Sequence, residues 1–158
     1  MNISTLEDLF SHDLSDVYSA EKQILRALPK MSRAASDPQL ISAFEQHLEE
    51  TRGQIERLDR LAEMTDFVSI TGMTCHALEG LAEEAQEIMD SVDAGPVRDA
   101  GLIGAAQKVE HYEIAAYGTL HALALKLGLN EAAELLAETL QEEKETDKKL
   151  TAIAGLQA

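Results

Sequence analysis

The sequence predicts an all-α fold, a four-helix bundle with one long connection, and three observations support it. Aromatic residues make up only 4 % of the 158 residues and tryptophan is absent, so leucine, isoleucine and alanine must form the core. Four long segments carry apolar residues at alternating steps of three and four, which is the spacing of a core-facing helix stripe. A chain of this length is expected to form a single domain over residues 1–158.

The first pair of helices is delimited by capping residues and prolines. Helix one is predicted from about Ser4 to about Ala35, because Ser4 and Glu7 have capping-box spacing. Pro29 lies within it and is expected to kink the helix or end it early. Helix two is predicted to begin at Asp37-Pro38, as N-cap and first helical residue, and to end near residue 64.

The connection that follows, residues 65–99, is too long to lack structure in a compact domain. It contains a short helical stretch, predicted from Cys75 to Val92, which ends before the break at Gly95-Pro96. The connection is therefore expected to cross from the first helix pair to the second while carrying an extra short helix.

The second pair follows this break. Helix three is predicted from about Val97 to Leu127 and ends at Gly128, a residue suited to a helix C-terminus. Asn130 is predicted to cap helix four, which runs to about Ala154. Two antiparallel pairs joined by one long crossover describe a ferritin-like four-helix bundle.

Charge and cysteine content exclude several classes of protein. The formal charge is −16, from 13 basic and 29 acidic residues, so the surface should repel phosphate backbones and no nucleic-acid partner is expected. Cys75 is the only cysteine, which excludes a disulfide framework. No apolar run reaches transmembrane length and the start of the chain lacks a signal-peptide pattern, so no membrane association and a cytoplasmic location are predicted.

Polar residues interrupt all four stripes near the helix midpoints. Glu21 interrupts helix one, Glu110 and Glu113 interrupt helix three, and Glu143 and Asp147 interrupt helix four. The adjacent Glu142 is expected on a solvated face. Tyr117, one turn beyond Glu113, is predicted to pack in the core, where its hydroxyl could bond one of these carboxylates.

Helix two allows two phases. One stripe places His47, Thr51 and Gln54 towards the core, with Glu50 one turn from both His47 and Gln54. The other phase, through residues 41, 48 and 55, would move His47 and Gln54 to the edge. Both readings remain open from the sequence.

The interruptions together predict a metal site. Helix midpoints in a bundle share one height, and burial of that many carboxylates without compensation would cost several kcal/mol per charge. Two bound metal ions would neutralise the set, and carboxylates with one imidazole suit iron or manganese and also zinc. The predicted ligands are Glu21, His47, Glu50, Glu110, Glu113, Glu143 and Asp147.

The chain resembles the YciE/YciF family of ferritin-like proteins over nearly its whole length. The resemblance is most specific at 44–51 (FEQHLEET), 73–81, 97–100 (VRDA), 107–118 (QKVEHYEIAAYG) and 142–147. It implies a homodimer, a dinuclear iron site and a link to bacterial stress responses, but no defined reaction. Ferritin-like proteins place Glu-x-x-His on helices two and four. Here helix two has the reverse order, His47-x-x-Glu50, and helix four has Glu143-x-x-x-Asp147 with no histidine.

Three functional hypotheses follow. The leading one is a di-iron or manganese-substituted protein of stress physiology that reacts with dioxygen or peroxide, as an oxidase or a peroxide consumer. The alternative is a non-catalytic acidic helical module, with structural or interaction roles, whose mid-bundle acids are protonated, hydrated or exposed at a dimer groove. The third, bulk iron storage, would require a closed shell of many subunits.

Overall fold

Five helices account for most of residues 2–155, the part of the chain that this computed structural model describes. They are α1 (Leu6–Ala34), α2 (Pro38–Met64), α3 (His76–Ser91), α4 (Pro96–Lys126) and α5 (Asn130–Ala154). Helices α1 and α2 pair, as do α4 and α5, while α2 also packs on α5 and α1 on α4. Helix α3 lies in the crossover and packs on α1 and α4. The ferritin-like bundle predicted from the sequence is confirmed.

The first helix differs from the prediction at its start and at Pro29. The capping box uses Thr5 and Asp8 instead of Ser4 and Glu7: the Asp8 backbone N–H donates to the Thr5 hydroxyl, and the Asp8 carboxylate accepts from the Thr5 N–H. The helix continues through Pro29 to Ala34, so the expected early end is wrong. Burial of apolar side chains on both sides of Pro29 offsets the one backbone hydrogen bond that proline removes.

The turn between α4 and α5 confirms one predicted cap and corrects another. Gly128 has a φ of +73°, and the Leu129 N–H donates to the Ala124 carbonyl at 2.8 Å, which is the Schellman arrangement. Asn130 does not cap α5. The Leu129 carbonyl already accepts from the Ala133 N–H, so the helix begins one residue earlier than predicted and Asn130 is its first residue.

Burial resolves the phase of each stripe. In α1 the predicted stripe through Glu21, which steps through residues 10, 14, 17, 21, 24, 28 and 31, is buried throughout. In α2 the phase containing His47, Thr51 and Gln54 is the buried one. In α5 the buried positions are Leu136, Thr139, Glu143, Thr146 and Leu150. The stripe of three-and-four steps in the sequence runs through Leu136, Leu140, Glu143, Asp147 and Leu150. Two of these positions, Leu140 and Asp147, are therefore one residue away from the buried ones, and the other three are buried as predicted.

Two apolar clusters lie on either side of the interrupting residues. One contains Leu28, Leu40 and Phe44 with the inner face of α3, and the other contains Phe10, Leu58 and Leu136. The polar residues of the four stripes therefore form a layer between two separate hydrophobic cores. None of the helices in residues 2–155 is long and apolar enough to cross a membrane.

The end of the crossover is tied to the α1–α2 turn by two neighbouring charged residues. The Arg98 guanidinium donates to the Ala34 carbonyl at 3.0 Å and to the Val92 carbonyl at 3.2 Å. The Asp99 carboxylate accepts from the backbone N–H groups of residues 36 and 37, at 2.8 and 2.9 Å. These bonds satisfy backbone groups that a turn would otherwise leave unpaired, and they fix the return of the chain to the bundle.

Two glycines of α4 offer a matched test of how tightly α3 packs. A Cβ at Gly101 would lie 2.8 Å from Ile88 Cγ2, whereas a Cβ at Gly104 would meet nothing within 4 Å. Gly104→Ala is expected to raise the free energy of unfolding by about 0.5–1 kcal/mol, through helix propensity. Gly101→Ala is expected to lower it by about 1 kcal/mol, because overpacking outweighs that gain. Urea denaturation measures both, and equal changes in the two variants would contradict the tight α3–α4 contact.

Candidate metal centre

Four buried side chains from three helices converge in the polar layer. They are His47 of α2, Glu110 and Glu113 of α4, and Glu143 of α5, and one potential ligand atom from each lies within 4.8 Å of the others. His47 Nε2 is 3.1 Å from Glu110 Oε1 and 3.9 Å from Glu143 Oε2. This group contains four of the seven ligands predicted from the sequence.

Glu21 joins the same layer from α1. It is fully buried, and its Oε1 accepts a hydrogen bond from the Tyr117 hydroxyl at 2.7 Å. The expected bond between Tyr117 and a ligand-candidate carboxylate is therefore confirmed. Glu21 Oε2 has no hydrogen-bond partner, and Glu113 and Glu143 lie near enough to affect the pKa of Glu21. The layer thus holds four buried glutamates and one histidine.

The remaining two candidates, Glu50 and Asp147, are half-buried and lie outside this group. Glu50 Oε2 accepts from the Thr146 hydroxyl at 3.1 Å. Asp147 Oδ1 lies 3.3 Å from Nε2 of His111, a largely exposed residue. For Asp147 the cause is the orientation of α5, which buries Thr146 and leaves Asp147 beside His111 of α4.

Sequence reasoning did not assign a site role to Gln54 or foresee the ion pair beside it. Gln54 is fully buried; its Nε2 donates to Glu142 Oε1 at 3.2 Å, and its Oε1 has no partner. Glu142 does not belong to a solvated face as expected, because it is half-buried and paired with Arg57 of α2, at 3.0 Å between Nη2 and Oε2. Only the position of Gln54 in the polar part of the α2 stripe hinted at its location.

The layer concentrates unsatisfied polar atoms. Within residues 2–155, every buried side-chain nitrogen or oxygen without a hydrogen-bond partner belongs to Glu21, His47, Gln54, Glu110, Glu113 or Glu143. In the last three of these glutamates neither carboxylate oxygen accepts a hydrogen bond, although Glu110 Oε1 lies 3.1 Å from His47 Nε2. A buried polar atom without a partner costs about 1–3 kcal/mol, and more when it is charged. Such a concentration calls for a counter-ion, and these residues fit a cation.

The electrostatics of the layer point the same way. Burial is the main cause that raises the pKa of Glu21 to about 8, and the neighbouring charge of Glu143 adds to it. Burial, and then the proximity of Glu143, also hold the pKa values of Glu110 and Glu113 well above the ordinary range. Without a metal these carboxyls retain protons, which a bound cation would displace.

The donor set narrows the choice of cation. Carboxylate oxygens with one imidazole nitrogen suit iron, manganese and zinc, whereas a site for soft copper(I) would need sulfur ligands. Cys75, the single cysteine, is at the N-cap of α3, where its Sγ lies 3.1 Å from the Tyr112 hydroxyl and its backbone N–H donates to Ser19. It is not among the grouped ligand atoms.

The sequence and the fold of this chain are similar to those of known proteins. A family model described as "Domain of unknown function (DUF892)" matches residues 5–158. Protein YciF of Escherichia coli strain K12 is 59 % identical over 154 residues, which cover 98 % of this chain and 93 % of YciF. The crystal structure of the E. coli stress protein YciF matches with a TM-score of 0.94 and 58 % identity over 96 % of each chain. YcfI of Rhodopseudomonas palustris, described as a candidate structural protein, matches with a TM-score of 0.89 and 44 % identity over 95 % of each chain.

Proposed function

Because this chain belongs to the YciF family, defined by the DUF892 domain, we propose that it is a stress-response protein that binds two metal ions in its bundle core, with iron as the expected metal. The observation that carries the proposal is the layer of buried, unpaired carboxylates around His47. The stress role rests on the relative, since the E. coli protein is named a stress protein.

Charge balance favours two ions over one. Glu21, Glu110, Glu113 and Glu143 carry four negative charges when ionised, which two divalent cations neutralise, while His47 stays neutral as a ligand. The first ion would be held by His47, Glu110, Glu113 and Glu143. The unpaired oxygen of Glu21 would be available to the second, with Glu113 and Glu143 beside it.

The surrounding residues give this centre its properties. A pair of iron ions supplies electrons for the reduction of dioxygen or peroxide. Tyr117 fixes the orientation of Glu21 through its hydrogen bond, as outer-shell partners of metal ligands commonly do. Thr51 donates to the His47 backbone carbonyl at 2.8 Å, which fills a polar position of α2 without adding a ligand. The two apolar clusters exclude bulk water from the layer.

Elemental analysis tests the proposal directly. Protein purified without added metal or chelator is expected to contain about two iron or manganese ions per chain, as the donor set and charge balance require. The Glu113→Ala/Glu143→Ala variant should contain almost none. A matched control, Glu131→Ala/Glu134→Ala, removes two exposed acids of α5 and should retain the wild-type content. Loss of peroxide or dioxygen on addition to the loaded protein would then support the catalytic version.

One finding favours the competing hypothesis of a non-catalytic helical module, namely the description of YcfI as a candidate structural protein. That hypothesis requires the buried carboxylates to remain protonated in the functional state. It would be the better account if neither the purified protein nor the anaerobically reconstituted protein held stoichiometric metal. The homodimer expected from the family resemblance stays a prediction, and sedimentation analysis would distinguish it from a many-subunit storage shell.

A further inference from the structure

A narrow cavity lies beside His47, between α1, α3 and α4. Its volume is about 20 Å³, and its walls include Ile24 of α1, Leu81 and Ala85 of α3, and Ala106 of α4. Every lining residue is apolar except His47. Small alanine side chains on α3 and α4 leave this space open where the crossover helix covers the bundle.

His47 links the cavity to the polar layer. Its side chain is almost fully buried, and its Nε2 has no hydrogen-bond partner while lying among the grouped carboxylate oxygens. The one polar residue of the cavity wall is therefore the nitrogen ligand of the proposed centre. On the α3 side, Leu81 and Ala82 are half-buried, so this wall extends towards solvent.

The size and polarity of the cavity select its occupant. The space exceeds the 10–15 Å³ or so that one water molecule needs, but an ordered water also needs two to four polar partners. The wall supplies at most one. Hydrogen peroxide has two O–H donors, and the cavity wall lacks acceptors for them. It would therefore lose its hydrogen bonds with water on entry. Dioxygen carries no donor and loses none, and apolar cavities of proteins take up small apolar molecules.

We propose that this cavity binds dioxygen and brings it next to His47, so that the natural oxidant of the centre is dioxygen and not peroxide. The proposal rests on the proposed metal-binding function for its role, although occupation of the cavity by gas requires no metal. The crossover helix α3 then has a function of its own, since it supplies Leu81, Ala82 and Ala85 to the wall.

Paramagnetic relaxation by dissolved dioxygen tests the binding. Methyl-labelled, metal-free full-length protein is compared under dioxygen and under nitrogen at equal pressure. The increase in methyl-proton relaxation rate caused by dioxygen should be at least about twice as large at Ala85 and Ala106 as at Ala124 and Ala132. The reason is that gas collects in an apolar cavity and not in a close-packed core. The control alanines are equally buried in the other cluster. Equal enhancement at all four would overturn the proposal.

Filling the cavity supplies the second arm. Ala85→Leu should abolish the extra relaxation at Ala106, and Ala82→Leu, at a half-buried position, serves if the first variant does not fold. In metal-loaded protein the filled variants should consume dioxygen more slowly and peroxide at the wild-type rate; unchanged dioxygen consumption would refute delivery through this cavity. If the metal-free protein shows selective relaxation but neither the purified nor the reconstituted protein holds stoichiometric metal, the metal proposal alone is refuted. If the protein holds the metal but its metal-free form shows no selective relaxation, this inference alone is refuted.

Discussion

Loading the metal-free protein with Fe²⁺ under anaerobic conditions, or with Mn²⁺, is expected to raise its Tm by about 10 °C. A ligand that binds only the native state at a free concentration of about 1,000 times its Kd adds about 4 kcal/mol to the free energy of unfolding. In a chain of this length, each kcal/mol corresponds to roughly 2–4 °C in Tm. This gain comes from the buried oxygens that lack hydrogen-bond partners, because the bound metal ions would interact with these oxygens. Differential scanning calorimetry measures the change.

The control must separate the buried layer from the acidic surface, because a chain with a formal charge of −16 attracts cations everywhere. The Glu113→Ala/Glu143→Ala variant should show almost no increase in Tm with metal, while Glu131→Ala/Glu134→Ala should match the wild type. An equal increase in all three proteins would assign the stabilisation to surface binding. It would contradict the proposed centre even if metal were found bound after purification.

Periodicity alone located most of the buried layer, for a physical reason. A carboxylate in the middle of an apolar stripe must follow the stripe into the core, so Glu21, Glu110, Glu113 and Glu143 are buried as the pattern predicted. His47 was ambiguous because α2 has apolar residues on two faces. Packing against both α1 and α5 buries the face that carries Thr51 and Gln54, and this choice depends on neighbours that a single stripe does not reveal.

Two positions of the α5 stripe differ from the prediction because two helix faces fit the same spacing. From Leu136 to Leu150, the pairs Leu140–Asp147 and Thr139–Thr146 both fit a helical repeat, and the leucine favoured the first pair. The structure buries the two threonines on the side that faces α2, where Thr139 accepts from Arg57 and Thr146 donates to Glu50. Asp147 lies on the side that faces α4, beside His111. Periodicity gives a helix face only to within about one residue, or roughly 100° of rotation. Asp147 was placed towards the site by that uncertainty, whereas Glu50 was proposed because it lies one turn from His47 and Gln54.

Contacts between helices were also beyond the sequence. Glu142 looked like one acid of a solvated run, and nothing near it in the chain identifies Arg57, which is 85 positions away, as its partner. At the start of α1, Ser4 with Glu7 and Thr5 with Asp8 have the same capping spacing, and the second pair forms the box. Capping spacing in the sequence allowed both pairs of residues, and only the three-dimensional structure shows which pair forms the capping box.

The metal-free protein is expected to lose stability as the pH rises from about 5 to about 8, opposite to the usual behaviour of paired carboxylates. The folded-state pKa of Glu21 is raised from an ordinary value of 4.5 to about 8. Below about pH 4.5 the group is protonated in both states; between the two values the unfolded chain releases the proton and the folded chain retains it. Stability therefore falls across this window, by on the order of 4 kcal/mol for Glu21 alone. Glu110 and Glu113 act in the same direction.

Isosteric variants test the origin of this slope in chemical denaturation at several pH values. Glu21→Gln/Glu113→Gln removes two ionisable groups but keeps an oxygen that can accept from Tyr117, so its stability should depend much less on pH. Glu131→Gln/Glu134→Gln, at exposed positions, should keep the wild-type slope. A metal-free wild type whose stability stays constant or rises over this range would show that the buried carboxyls are ionised without a counter-ion. With metal bound the slope should reverse, because protons compete with the cation for the same oxygens, and stability then falls as the pH is lowered.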